Sequence, residues 1–172
     1  MDGSESPYGS NIKQDYNRCI EFITAENINS LFDKYNVPED IDFLSIDVDG
    51  EDYWIIKEMN LDKYRPRVIC IETNWSIHPD FKIVQKHNPN FIWKGNHLFG
   101  CSSSAMLELL NGRNYTMVAY TGPDCIFIRN DELVKHNIIF KNQNDLRKLG
   151  VLEGPLHNKN IFYNNPFFIN IN

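Results

Sequence analysis

The sequence predicts a three-layer α/β fold, with parallel central strands at 42–48 and 67–72 and a closing antiparallel hairpin at about 115–129. Three observations carry this. Asp42-Phe43-Leu44-Ser45-Ile46-Asp47-Val48-Asp49-Gly50 is a short apolar run, too brief for an ordinary helix, that ends in two carboxylates and a glycine. After a helical stretch, Arg67-Val68-Ile69-Cys70-Ile71-Glu72-Thr73-Asn74 repeats the design. Two strands joined through a helix form a βαβ unit, which closes right-handed and parallel. Finally, Tyr115-Thr116-Met117-Val118-Ala119-Tyr120 and Cys125-Ile126-Phe127-Ile128 flank the turn-forming Thr121-Gly122-Pro123-Asp124.

The elements follow in order. Met1 to Gln14 holds Gly, Ser and Pro with little apolar content and reads as a loop. Arg18 to Ile23 alternates as a short strand, and Thr24 is placed to cap the helix whose apolar stripe is Ala25, Ile28, Leu31, Phe32 and Tyr35. Asn36 and Pro38 end that helix. Glu51 to Met59 puts acids first and spaces Ile55, Ile56 and Met59 along one face, as a helix after the acidic turn would. Trp75 to Gly100 lacks a period and reads as a lid or substrate loop, with His78, His87 and His97 in surface or packing roles. Ser102 or Ser103 caps a helix through Asn111, with Ala105, Met106, Leu109 and Leu110 buried and Gly112 at its end. From Asn130 the pattern is weak, apart from one short helix near Asn144 to Leu149. The expected division is therefore a loop or ragged start at 1–17, the α/β domain at 18–133, and a partly disordered tail at 134–172 packing on it.

Composition narrows the function classes. With 172 residues, 42% of them hydrophobic, the chain can bury one core without needing a second domain. A net charge of −6, with bases scattered among acids, excludes nucleic acid as the main partner. Cys19, Cys70, Cys101 and Cys125 are widely separated, so they read as reduced core residues instead of a disulfide framework or zinc site. No apolar run approaches the ~18 residues of a membrane span. The expectation is a cytoplasmic protein without a membrane partner, in which the sequons at Asn74 and Asn114 are accidental.

The βαβ unit brings Asp47, Asp49, Glu72 and Asn74 to one edge of the sheet. Ligands of open α/β sheets bind at the carboxyl ends of the strands, so this edge is the candidate site. A plainer role is available for two of the four. Asp49 can cap the helix beginning near Glu51, and Asn74 can simply turn the chain.

Four phrases carry a resemblance: Ile23-Thr24-Ala25-Glu26-Asn27-Ile28, the Asp42 to Gly50 run, Pro66 to Glu72, and Gly122 to Arg129. In that order they resemble FkbM-type methyltransferase domains, over roughly residues 20–133. The resemblance implies the C-terminal part of a class I, Rossmann-like fold and S-adenosylmethionine-dependent methyl transfer, commonly to a hydroxyl oxygen of a small-molecule or glycan acceptor. It implies Asp47, Asp49 and Glu72 as catalytic residues, and Asp47, Gly50 and Asp2 as cofactor-binding, Asp2 through the ribose hydroxyls. It also implies magnesium on Asp49, Glu72 and Asn74, orienting a hydroxyl and lowering its pKa. The chain departs from the family where no glycine-rich turn precedes Thr24. Hence the further expectation of a fragment or shortened form, inactive alone. Two other readings stay open. Asp47-Val48-Asp49-Gly50 also fits the DxDG nucleophile motif of haloacid-dehalogenase-like phosphatases, with magnesium, although Glu51 stands where that motif has Thr. The non-catalytic reading is a methyltransferase-like remnant that binds a partner along an unpaired strand edge.

Overall fold

Two short parallel strands with a helix between them set the frame in the computed structural model of the chain, which describes residues 19–139 and 165–171. In chain order the elements are α1 (Ile28–Lys34), β1 (Phe43–Ile46), α2 (Asp52–Glu58), β2 (Val68–Glu72), β3 (Ile83–Gln85), α3 (Ser103–Asn111), β4 (Tyr115–Tyr120), β5 (Asp124–Arg129), α4 (Asn130–Lys135) and β6 (Phe168–Asn170). The fold is α/β, with a mixed four-stranded sheet in the order β1-β2-β5-β4 and a small sheet of β3 and β6. β1 and β2 are parallel, with Phe43 opposite Val68 and Ile46 opposite Ile71, as the repeated strand design predicts. The hairpin inserts β5 antiparallel between β2 and β4, which sets Asp124 opposite Glu72.

Period-two alternation decides which face is buried. Ile69 and Ile71 of β2, Cys125 and Phe127 of β5, and Tyr115 and Met117 of β4 are buried, and they join Ile55, Ile56 and Met59 with Met106 and Leu110 in one cluster. Burying each large side chain there contributes roughly 1.5–3 kcal/mol. α3 starts as its sequence predicts, the Ser102 hydroxyl accepting the Ala105 N–H. Leu107 is buried in place of Leu109, which is half-buried. Gly112 keeps a helical φ of −64°, and Asn114 takes the left-handed turn at φ 65°.

Several expectations are corrected. Cys19 to Ile23 forms no strand. Among the described residues nothing pairs with the outer side of β1, and without a ladder an alternating pattern cannot become a strand. Thr24 does not cap α1. Instead the Asn27 side chain closes the turn, accepting the Thr24 N–H and donating to the Phe22 carbonyl. β1 stops at Ile46 because Asp49 and Gly50, at φ 56° and 139°, leave extended backbone. The segment 75–100 holds β3, whose three residues are all buried and pair with β6. α4 was not expected; acids in its first turn and Lys135 in its last suit the helix dipole. Within residues 165–171, Ile169 and Ile171 lie against the core. The helix expected near 144–149 lies outside the described residues. None of the four cysteines is in a disulfide, and Cys101 and Cys125 are buried. Among the described residues no helix is long and apolar enough to cross a membrane.

Candidate functional site

Because β1 and β2 run parallel in register, the chain leaves both at the same edge. One carboxylate oxygen from each of Asp47, Asp49 and Glu72 lies within 4.8 Å of the others. Asp47 and Asp49 are exposed, whereas Glu72, flanked by Asp124 across the ladder, is half-buried. The turn between them is held by an acid of the next helix. Asp52, fully buried, accepts the Val48 N–H at 3.0 Å and the Gly50 N–H at 2.9 Å. Asp49 therefore does not cap α2, which begins without a side-chain cap.

Gly50 is needed for space as well as for its φ. A Cβ there would meet the Phe91 ring at 2.5 Å and the Gln85 amide oxygen at 2.9 Å. Gln85, fully buried, binds the surrounding loops together. Its Nε2 donates to Glu51 Oε1 at 2.7 Å, its Oε1 accepts the Gly100 N–H at 2.7 Å, and its carbonyl accepts the Trp54 indole N–H at 2.9 Å.

Asn74 does not join the three acids. Its Nδ2 donates to the His97 and Phe99 carbonyls at 2.8 and 2.9 Å, and its Oδ1 accepts from the Ser76 N–H and hydroxyl. All four hydrogen-bonding positions of the amide are thereby used. It pins the 97–99 loop. Asp2 lies outside the described residues.

The edge is electrostatically strained. Burial, then the charges of Asp52, Asp47, Asp49 and Asp124, push the Glu72 carboxyl up to about 8. Its Oε2 is buried with no hydrogen-bond partner. Burial also raises Asp52 to about 6, against the pull of its backbone N–H donors. Asp47 shifts upward through desolvation and then through Asp49 and Asp124. Among the described residues no Lys or Arg forms an ion pair with Asp47, Asp49, Asp52, Glu72 or Asp124. Burial and mutual repulsion thus favour the protonated forms of Glu72 and Asp52, and the cluster favours a cationic ligand.

A mostly apolar cleft of about 340 Å³ runs along β1 and reaches Asp47, with Ile23, Phe32, Leu44 and Val48 among its other lining residues. Sequence reasoning placed the three acids but missed Asp52, Gln85 and Asp124. Asp52 was legible only as one acid of a helix start. Gln85 carried no signal, because its partners at Glu51 and Gly100 are remote in the chain.

In open α/β sheets ligands bind outside the carboxyl ends of the strands, the edge where these acids lie. Residues 3–117, more than half the chain, match the Methyltransferase FkbM domain, and the chain belongs to that family of methyltransferases. Neither the curated proteins nor the solved structures include a match.

Proposed function

We propose that the chain uses S-adenosylmethionine to methylate a hydroxyl oxygen of a small-molecule or glycan acceptor, and that the described sheet is part of a three-layer, Rossmann-like cofactor fold. The observation that carries this reading is the convergence of Asp47, Asp49 and Glu72 within 4.8 Å, beside a mostly apolar cleft that reaches Asp47, in a chain of this family. The residues fit the cofactor's chemistry. S-adenosylmethionine carries a sulfonium and an ammonium charge, and here five acids lack a cation while Glu72 Oε2 lacks any partner. Ile23, Phe32, Leu44 and Val48 offer an apolar wall for an uncharged ring.

When bound, the cofactor supplies an electrophilic methyl group. Asp47 and Asp49 hold positive charge at the cleft mouth, and Gly50 lets the backbone turn beneath it. Once ionised, Glu72, with its carboxyl at about 8, is a stronger base than an ordinary carboxylate and accepts the proton that the acceptor hydroxyl loses. Among the described residues no glycine-rich turn follows a strand ahead of α1. A second reading rests on the same three oxygens. A divalent cation such as magnesium would suit them, lowering the acceptor hydroxyl's pKa.

Isothermal titration with S-adenosylmethionine, and with S-adenosylhomocysteine as the probe that lacks the sulfonium charge, tests the proposal, with and without magnesium. Binding is expected, and Asp47→Asn with Asp49→Asn should weaken it by ~10-fold or more, about 1.4 kcal/mol. Undiminished binding by the double variant would remove the acids from the site. A requirement for magnesium would favour the second reading.

A further inference from the structure

Beside the acidic edge, His87 sits between two carboxylates from different parts of the chain. Its Nδ1 lies 2.5 Å from Glu51 Oε2 and its Nε2 lies 2.6 Å from Glu26 Oε1. A neutral imidazole carries one N–H and can satisfy only one of two carboxylates. The other would face a ring lone pair. Only the imidazolium, donating from both nitrogens, makes both contacts.

Both partners matter to the cleft. Glu51 follows Gly50 directly, is buried, and also receives the Gln85 amide and the Asn88 N–H. Glu26 lies in the turn before α1, whose Ile28 and Phe32 line the cleft on the far side of β1. The charged groups set against the ring are these two glutamates. From α2 the Trp54 ring lies 5.4 Å from the imidazole, and Lys57 reaches that indole at 4.7 Å.

We propose that His87 is a positioning residue: its imidazolium ties Glu26 to Glu51, and so holds the Asp47 to Gly50 turn against the α1 wall of the cleft, releasing it when the ring loses its proton. The link to cofactor binding rests on the methyltransferase reading; the link to the turn does not. Partial burial lowers the His87 pKa, but the Glu26 and Glu51 carboxylates together outweigh it and the net shift is upward. Glu26, in turn, is pulled down to about 2, first by its hydrogen bond to His87.

The sign follows from linkage. A raised folded pKa stabilises the clamped form fully below the ordinary value near ~6.5, and that stabilisation is lost as pH rises through the higher folded value. Glu72 acts in the opposite direction, since its ionisation at higher pH adds negative charge for a cationic ligand.

Two-dimensional NMR titration of the chain tests this, with the His87 ring signal identified by its loss in His87→Ala. The expected results are a His87 midpoint above ~6.5, both ring nitrogens protonated below it, and a Gly50 amide resonance that moves with the same midpoint. Glu26→Gln, a change at an exposed side chain, should lower that midpoint and carry the Gly50 transition with it. S-adenosylhomocysteine affinity should show a loss at the His87 midpoint in wild type, displaced to lower pH by Glu26→Gln. A His87 midpoint at or below the ordinary value, or one indifferent to Glu26→Gln, overturns the clamp, and a Gly50 amide that ignores it overturns the positioning role. Absence of ligand binding at every pH would instead count against the methyltransferase reading, leaving the clamp to be judged by the resonances alone.

Discussion

Replacing Glu72 by Gln should make the protein's stability less dependent on alkaline pH. The folded state holds the Glu72 proton up to about 8, against an ordinary value of 4.5. A raised carboxyl pKa means that the unfolded chain ionises first. Stability is therefore lost progressively as pH climbs from the ordinary value to the folded one, and the loss is complete above it. At ~1.36 kcal/mol per unit the full shift is worth about 5 kcal/mol, and solvent screening of this partly exposed group reduces it to about 2. For a chain of this size that corresponds to about 4–8 °C in Tm. The amide of Glu72→Gln also sits where Oε2 has no partner, a penalty of roughly 1–3 kcal/mol that does not vary with pH. The diagnostic is thus a slope. Thermal melts followed by circular dichroism at acid and alkaline pH should show the variant gaining on wild type by about 4–8 °C between the two conditions. Asp52 titrates in both proteins and largely cancels. An identical Tm gap at the two pH values would refute the argument that Glu72 is held protonated by its surroundings.

Gln85→Ala removes the amide that joins Glu51 to the Gly100 N–H, and should lower stability by about 2–4 kcal/mol through the groups left unpaired. Urea unfolding checks it, a shifted midpoint at unchanged m-value being expected and a shift worth less than ~0.5 kcal/mol counting against the role assigned to Gln85. Gly50→Ala combines a φ of 139° with a Cβ 2.5 Å from the Phe91 ring and should cost about 2–4 kcal/mol. Adding Phe91→Ala should change that cost if the steric contact contributes; strictly additive losses in a double-mutant cycle would mean it does not.

Residue patterns carried the framework because its determinants are local. Ile69, Ile71, Cys125 and Phe127 alternate within their own strands, and Ser102 caps α3 three residues away. The parallel pairing and the meeting of Asp47, Asp49 and Glu72 then follow from the βαβ rule. What the sequence hid depends on distant partners. Arg18 to Ile23 has a strand's alternation, but no described strand lies beside it. Asn74 looked like a ligand because nothing local shows the His97 and Phe99 carbonyls it must satisfy. β3 is only three residues long and becomes a strand because β6, far along the chain, pairs with it.

The sheet also sorts charge from one edge to the other, and this bears on why the acids persist. Where β1 and β2 begin and β5 ends, Arg67 bridges Asp42 and Glu132 at 3.0 Å each, and Arg129 reaches Asp131 at 2.6 Å. At the opposite edge Asp47, Asp49, Glu72 and Asp124 gather without a single described ion pair. The chain has the chemistry to neutralise clustered acids and uses it at the first edge, where Arg65, Arg67 and Arg129 each pair with an acid. A fold shaped by stability alone would gain from one lysine at the acidic edge, whereas a site that must receive a cation loses by it. The upward shift of the Glu72 carboxyl, caused first by burial and then by the neighbouring acids, is in keeping with that conflict. A cation at the edge, whether a ligand's charge or the side chain of Asp124→Lys, should therefore draw the Glu72 midpoint back toward the ordinary carboxylate range. A Glu72 midpoint unmoved by Asp124→Lys, read from its side-chain carbon resonance, would show that burial alone, and not the gathering of acids, sets its proton affinity.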